Sequence, residues 1–244
     1  VTLNFVEKLT YKCSTNIYPN SFGLKNIILE NRFTTEDKLR VIGIGSSNGI
    51  DTSYFDPELF SLNERNKLKS ELGIEGNVFV FIFVGRLVAD KGINELVEAF
   101  VELCIVVKGI KLLLVGPFED ELDPLSDKTN QLISNHDKII LVGYQNDVRP
   151  FFAISNSLVF PSYREGFPNV VMQAGAMGLP GIVSDINGCN EIIHHDYNGI
   201  VVPSKDIESL RRAMSRIFQD KELYLKCSAK SRLAIVNNYE QKLY

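Results

Sequence analysis

Residues 78–100 read VFVFIFVGRLVADKGINELVEAF, and they carry the clearest sequence signal for the fold class. Its first seven residues form a continuous apolar run, which predicts a β-strand that is buried on both faces. After residue 92 the apolar positions recur with helical spacing, and a short polar loop separates the two patterns. The stretch therefore predicts a strand, a loop and a helix, which is the repeating unit of a parallel sheet with crossover helices.

The same alternation continues along the rest of the chain. Further apolar runs that predict strands lie at 111–115, 138–142, 157–160, 181–184 and 199–202. Helical patterns lie at 93–107, 125–135, 147–155, 168–178, 190–195, 206–220 and 222–238. This order predicts an α/β protein with a doubly wound, Rossmann-like parallel sheet, whose ligand binds at the carboxyl ends of the strands.

The first 77 residues are less regular. Residues 15–31, TNIYPNSFGLKNIILEN, predict a short strand, a turn and a helix. Residues 39–57, LRVIGIGSSNGIDTSYFDP, predict a strand followed by a passage rich in Gly, Ser and Asn. Such a passage is typical of a flexible crossing between two domains.

The bulk composition restricts the classes of function. The 244 residues are 45% hydrophobic and 23% charged, as in globular proteins, and the net charge of -4 argues against a nucleic-acid partner. The four cysteines are scattered and lack metal-ligand spacing, which favours a reducing compartment and predicts no metal site. No apolar run approaches the roughly 20 residues that span a bilayer, so we expect a cytoplasmic protein.

The loop after the first strand of the sheet is a candidate anion site. The strand ends at Gly85, and Arg86 and Lys91 follow before the helix that begins near Gly92. A helix start presents free N–H groups and a partial positive charge, so two nearby cations predict a diphosphate site. The alternative is an ordinary loop with two solvated basic side chains.

A second candidate lies in residues 163–180, YREGFPNVVMQAGAMGLP. Gly166 allows close approach of a ligand to the backbone, and Pro168 is expected in the first turn of a helix, where its missing N–H is not needed. The N–H groups expected to be free at this helix start belong to Phe167, Asn169 and Val170. Together they predict a second group of phosphate-binding donors.

Two polar side chains flank this helix start. Glu165 precedes it, and Gln173 lies on the same helix face as Asn169 and Val170. A carboxylate beside bound phosphate should prefer another partner, and sugar hydroxyls can donate hydrogen bonds to it. The alternative is that Glu165 only stabilises the helix N-terminus through its charge.

A weaker candidate is Tyr144, which directly follows the predicted strand at 138–142 and its terminal glycine. Its ring could stack on a nucleotide base, or it could simply cover the edge of the sheet. The neighbouring pair His194 and His195 cannot chelate a metal from one helix face, because adjacent helical residues diverge by about 100°.

The motifs together resemble the C-terminal, donor-binding half of a retaining GT-B glycosyltransferase of family 4, and the pattern is similar to bacterial capsular and surface-polysaccharide transferases. The resemblance covers roughly residues 40–236. It is carried by SNGID, VGRL followed by DKG, LLLVG, VGYQNDV, FPSYREGFPNVVMQAGAMGLPGIVSDINGCNEII and NGIVVP.

The resemblance implies a role for each candidate residue. Arg86 and Lys91 would neutralise the diphosphate of a nucleotide-sugar, with a UDP-sugar favoured, and would support departure of the leaving group without a metal or other cofactor. Glu165 would hold hydroxyls of the transferred sugar. The family carries a second glutamate, which grips the ribose, at the position of Gln173, so ribose binding is expected to be weaker by about 1 kcal/mol.

The resemblance also implies a domain assignment. Residues 1–44 would be the tail of an N-terminal acceptor domain with the interdomain crossing, and residues 45–244 would be the nucleotide-sugar domain. The chain is then expected to bind donor without transferring sugar alone. The full-length protein would act on a glycan or lipid-linked acceptor, with peripheral contact at the inner face of the membrane.

Two other functions remain open at this point. A sugar-nucleotide 2-epimerase uses a similar two-domain fold but requires acid/base residues that the sequence does not identify. A non-catalytic nucleotide-sugar binding module would explain Gln173 as a sign of decay, whereas the presence of Arg86, Lys91 and Glu165 argues against decay.

Overall fold

The computed structural model describes residues 2–46, 48–119, 121 and 123–243. Ser47, the first residue of the SNGID motif, lies outside the described residues, as do Val1 and Tyr244 at the outer limits of the predicted domains. The strands are Phe79–Val84 (β1), Ile110–Val115 (β2), Ile139–Gly143 (β3), Ser157–Phe160 (β4), Gly181–Ser184 (β5) and Gly199–Val202 (β6).

The helices lie before the first strand, between successive strands and after the last strand. They are Thr2–Cys13 (α1), Phe22–Glu30 (α2), Leu62–Glu71 (α3), Ile93–Val106 (α4), Asp127–Asn135 (α5), Arg149–Ala153 (α6), Asn169–Ala176 (α7), Cys189–Ile192 (α8), Ile207–Gln219 (α9) and Lys221–Tyr239 (α10). Short 3₁₀ turns include Ala89–Lys91, directly before α4.

The six strands form one parallel sheet in the order β3-β2-β1-β4-β5-β6. Starting from β1, the chain builds outward to β3 and then returns to place β4 on the other side of β1. The connections therefore leave in opposite directions from β1 and β4, which makes a crevice at the carboxyl ends of these two strands. The predicted doubly wound parallel sheet is confirmed.

The central strand lies in the middle of the hydrophobic core. Residues 80–83 of β1 are 0% exposed, because helices cover both faces of the sheet. Phe83 of β1 stacks on Phe160 of β4, with 5.8 Å between the ring centroids. Two helix pairs, α4 with α9 and α7 with α10, pack closely on each other. This packing fixes the ends of β1 and β4, from which the candidate site is built.

The N-terminal part differs from the sequence prediction. The strand predicted at the start of residues 39–57 is wrong: Leu39 makes only an isolated bridge to Ile17. Gly43 and Gly45 adopt φ values of 57° and 107°, which turn the backbone away from an extended strand. The short strand predicted within residues 15–31 reduces to the same bridge, while its predicted helix is confirmed as α2.

Two helices of this part were not predicted. One of them, α3, begins with a capping box in which Ser61 accepts from the backbone N–H of Glu64 and the Glu64 carboxylate accepts from Ser61. The Ser-x-x-Glu spacing is a sequence signal for such a start. The other, α1, has no acidic residue in its first turn, so the sequence gives little indication of where it begins.

Candidate functional site

Glycines allow the ends of β1 and β2 to lie close together beneath the site. The backbone N–H of Gly85 donates to the carbonyl of Val115 across a distance of 2.9 Å. At Gly116 a Cβ atom would lie 1.8 Å from the carbonyl oxygen of Gly85, so no larger residue can occupy that position without a backbone shift. Gly85 itself has φ 149°, and the chain turns there to start the loop that carries Arg86 and Lys91.

The far end of this loop is packed against the loop after β4. Gly92 has φ 71°, and a Cβ atom there would lie 2.2 Å from the carbonyl oxygen of Pro161. The backbone N–H of Tyr163 donates to the carbonyl of Asp90 at 2.9 Å. Arg164 adds an ion pair to the Asp90 carboxylate, with a nitrogen–oxygen distance of 3.1 Å. These contacts hold the two loops against each other across the crevice.

Lys91 and Glu165 meet at the centre of these loops. The Lys91 ammonium donates to Oε1 of Glu165, and each side chain is only 16% exposed. The hydroxyl of Ser162 donates to the same carboxylate oxygen at 2.8 Å. The two residues were singled out separately in the sequence, and the fold brings them together at the point where the strand order reverses.

The start of α7 lies directly after Glu165 and Gly166. Pro168 was predicted in the first turn, but it is the residue before the helix, with φ -77° and ψ 110°, and its carbonyl accepts from the N–H of Val171. In the described part of the chain, the N–H groups of Phe167, Asn169 and Val170 have no hydrogen-bond acceptor. A helix start with free donors can bind an anion.

The remaining predicted residues are more open. Arg86 is 48% exposed and donates to Glu119 at 2.7 Å. This hydrogen bond, followed by the charge of Glu119 and smaller effects of Asp90 and Glu165, raises the pKa of the Arg86 guanidinium. Gln173 is half-buried on α7, and Tyr144 is 69% exposed after β3, two strands away from β1.

Comparison with known proteins places this geometry in a family. The sequence profile of the family described as glycosyl transferases group 1 matches residues 64–234. The chain belongs to this family. The matched residues include all six strands and both loops of the candidate site, so the resemblance found in the sequence motifs is confirmed at the level of family and fold.

Two relatives of this group 1 glycosyltransferase chain illustrate the match. It is 30% identical over 99% of its length to the capsular polysaccharide biosynthesis glycosyltransferase CapM of Staphylococcus aureus. It is 29% identical over 96% of its length to the UDP-Gal:alpha-D-GlcNAc-diphosphoundecaprenol alpha-1,3-galactosyltransferase of Escherichia coli. The chain spans 62% and 59% of the lengths of these two proteins.

A solved structure supports the same assignment. A glycosyltransferase from Rickettsia africae superposes with a TM-score of 0.86 at 25% identity, covering 98% of this chain and 64% of the other. The similarity extends beyond the sheet, because that coverage includes the N-terminal helices as well as the group 1 region.

Several residues of the site were missed by sequence reasoning. Ser162 could have been noticed, because it lies three residues before Glu165 in the same loop. Tyr163 donates from its hydroxyl to Glu95 of α4 at 2.6 Å, and burial together with this hydrogen bond raises the pKa of the tyrosine. Asn187 donates from Nδ2 to the carbonyl of Glu165 at 2.6 Å, across 22 residues of sequence that carry no local signal for this contact.

Among the residues that the structure describes, no helix combines the length and the apolar composition that a bilayer crossing requires.

Proposed function

We propose that this chain binds the diphosphate of a nucleotide-sugar at the crevice between β1 and β4. It would thereby form the donor half of a retaining glycosyltransferase in polysaccharide synthesis. The observation that carries the proposal is the meeting of Lys91 and Glu165 beside the free N–H groups at the start of α7. A cation, a carboxylate and several backbone donors in one crevice match a ligand that has both phosphates and hydroxyls.

The proposed chemistry requires Lys91 to exchange partners. In the structure its charge is neutralised by Glu165, and a bound diphosphate would take over that role. Glu165 would then accept hydrogen bonds from hydroxyls of the transferred sugar. Lys91 and Arg86 would stabilise the negative charge that develops on the leaving diphosphate, so we propose that no metal ion is needed for this step.

Roles for other parts of the chain follow from the same proposal. The start of α7 would bind phosphate through the N–H groups of Phe167, Asn169 and Val170, and the lack of a side chain at Gly166 would allow the ligand to approach. Gln173 would lie beside the ribose, and Tyr144 beside the base. Residues 1–44 would belong to the acceptor domain, and residues 45–244 would form the donor domain.

The proposed donor is a UDP-sugar, and the proposed acceptor is a glycan or a lipid-linked sugar. The name of the E. coli relative specifies UDP-Gal as donor and a diphosphoundecaprenol-linked sugar as acceptor. CapM is named for capsular polysaccharide biosynthesis. We extend these chemical classes, but not the individual sugars, to this chain because both relatives align with nearly its whole length.

A ligand screen by thermal unfolding tests the proposal. UDP, GDP, ADP and their sugar conjugates are added separately to the wild-type chain, to Lys91→Ala and to the control Lys108→Ala. Lys108 is an exposed lysine just before β2, at the opposite end of the sheet from the site. We expect UDP to raise the melting temperature of the wild type and of Lys108→Ala, because a ligand that binds only the folded state stabilises it.

In Lys91→Ala the affinity for UDP should fall about 100-fold, since a buried charge pair is lost and Glu165 is left to repel phosphate. The proposal is wrong if no nucleoside diphosphate stabilises the wild type. It is also wrong if Lys91→Ala binds UDP like Lys108→Ala. Transfer of sugar by this chain without any other protein would contradict the proposed donor-half role.

A further inference from the structure

The turn between β5 and α8, residues 185–188, contacts the Glu165 loop, and β5 lies next to β4 on the side away from β1. Nδ2 of Asn187 donates to the carbonyl oxygen of Glu165 at 2.6 Å and lies 3.4 Å from that of Gly166. A Cβ atom on Gly188 would lie 2.4 Å from the Gly166 carbonyl oxygen. The backbone of the Glu165 loop is therefore held at its carbonyl groups by this turn.

The same turn is fixed to the N-terminal part of the chain. The carboxylate of Glu191 accepts from the N–H groups of Phe22 at 2.8 Å and Gly23 at 3.1 Å, which begin α2. It also accepts from the N–H of Gly188 at 3.1 Å. A Cβ atom on Gly23 would lie 2.4 Å from Cβ of Asn187, so α2 leaves no space for Asn187 to move away.

A third contact reaches the loop directly from the N-terminal part. Nδ2 of Asn20 would lie 3.1 Å from a Cβ atom on Gly166, and a Cβ atom on Gly45 would lie 2.8 Å from the ring of Phe167. The loop that carries Glu165 is thus enclosed between residues 20–45 and the turn at 185–188. Its backbone position depends on both.

We propose that Asn187 is a positioning residue for Glu165 and that Glu191 fixes Asn187 by binding the start of α2. This inference rests on the proposed function, in which Glu165 binds hydroxyls of the transferred sugar. The side chain of Asn187 reaches Glu165 through its backbone carbonyl, which orients the carboxylate without contacting it. Loss of Asn187 should therefore weaken recognition of the sugar more than recognition of the diphosphate, which Lys91 also binds in the proposed function.

The test compares affinities for UDP and for the UDP-sugar that the thermal screen selects. Asn187→Ala and the isosteric Asn187→Asp, which has no N–H donor, should bind the UDP-sugar about tenfold more weakly than wild type, with a loss of no more than about threefold for UDP. Asn187→Gln, which keeps the amide donor, should recover part of the loss. The matched control is Asn190→Ala, because Asn190 lies three residues further and its amide donates to Asp185 at 2.8 Å.

Equal binding of the UDP-sugar by Asn187→Ala and wild type would overturn the inference, and so would an equal loss for UDP and UDP-sugar.

Amide hydrogen exchange of the ligand-free protein gives a second readout. Exchange at residues 165–167 should be faster in Asn187→Ala, and Glu191→Gln should accelerate it together with exchange at Phe22 and Gly23. If wild type does not distinguish UDP-sugar from UDP, the proposed role of Glu165 fails. Unchanged exchange at residues 165–167 in Asn187→Ala would then overturn the positioning role as well.

Discussion

Arg86 and Lys91 stand at opposite ends of one loop and differ sharply in their surroundings. The Arg86 side chain is 48% exposed and pairs with Glu119, whereas the Lys91 side chain is 16% exposed and pairs with Glu165. An exposed ion pair contributes little to stability, because water and salt screen it. The inner end of the loop, at Lys91, is therefore held in place by the fold, whereas the outer end, at Arg86, is held mainly by an exposed ion pair.

Arg86 and Lys91 look equivalent in the sequence, but this difference predicts separate roles for them in ligand binding. Lys91 has its position fixed before any ligand arrives, because the turn at residues 89–91 ends at Gly92 against Pro161. In the proposed complex both cations exchange an acidic partner for the diphosphate, but Arg86 does so from a more exposed position. A pre-organised cation loses less side-chain entropy on binding, so we expect the inner end to dominate affinity.

The largest effect, on the free energy of unfolding, is expected for a substitution of Gly92, which follows Lys91 at the inner end of the loop. Gly92→Ala places a methyl group against the carbonyl oxygen of Pro161 in a backbone conformation that L-residues disfavour. We expect the free energy of unfolding to fall by about 3 kcal/mol, measured by urea denaturation. The comparison variant Gly109→Ala has a similar φ of 77° with no atom within 4 Å of the added Cβ.

Gly109→Ala should cost only about 1 kcal/mol, because it tests the backbone conformation without the steric contact. A loss in Gly92→Ala no larger than in Gly109→Ala would mean that the contact with Pro161 does not hold the inner end. In that case the rigid position of Lys91 would need another cause.

Most of the sheet could be predicted from the sequence. The strand at 78–84 and four of its successors are almost entirely buried, so each reads as an apolar run. The edge strand β3 keeps an apolar run although Leu141 is 44% exposed, and all six predicted strands form. The N-terminal part was harder, because residues 39–46 combine apolar side chains with glycines whose positive φ values the sequence does not specify. Residues 39–46 therefore have the apolar pattern of a strand but do not form one.

The site was predictable as a set of residues and not as a set of contacts. Lys91 and Glu165 could each be singled out from a loop next to a strand end, but they are 74 residues apart in sequence. Their ion pair depends on the strand order, which brings β4 beside β1. Asn187 and Glu191 were missed because their partners are backbone groups, and any residue type can supply those.

At the outer end of the loop the expected effect is smaller. Arg86→Ala should leave the melting temperature within about one degree of wild type, since an exposed pair contributes little. Its affinity for UDP, measured by calorimetry, should fall about tenfold, because one charge-assisted contact to phosphate is lost. The loss should shrink at high salt, as expected for an exposed charge.

Glu119→Gln serves as the matched control for Arg86. It removes the charge that competes with phosphate for Arg86, so UDP should bind as tightly as in wild type or a few-fold more tightly. Weaker binding in Glu119→Gln would mean that Glu119 positions Arg86 instead of competing for it, and the contrast between the two ends of the loop would be lost.

The smallest expected effect concerns Gln173, which lies in the second turn of α7. Gln173→Glu restores a charged acceptor and should tighten binding of UDP about fivefold, because hydrogen bonds to charged groups are stronger than neutral ones. The gain should be smaller for 2′-deoxy-UDP, which lacks one ribose hydroxyl, and absent in Gln131→Glu, a charge control at an exposed position on α5. Equal gains for UDP and its deoxy form would show that the carboxylate acts elsewhere than on the ribose.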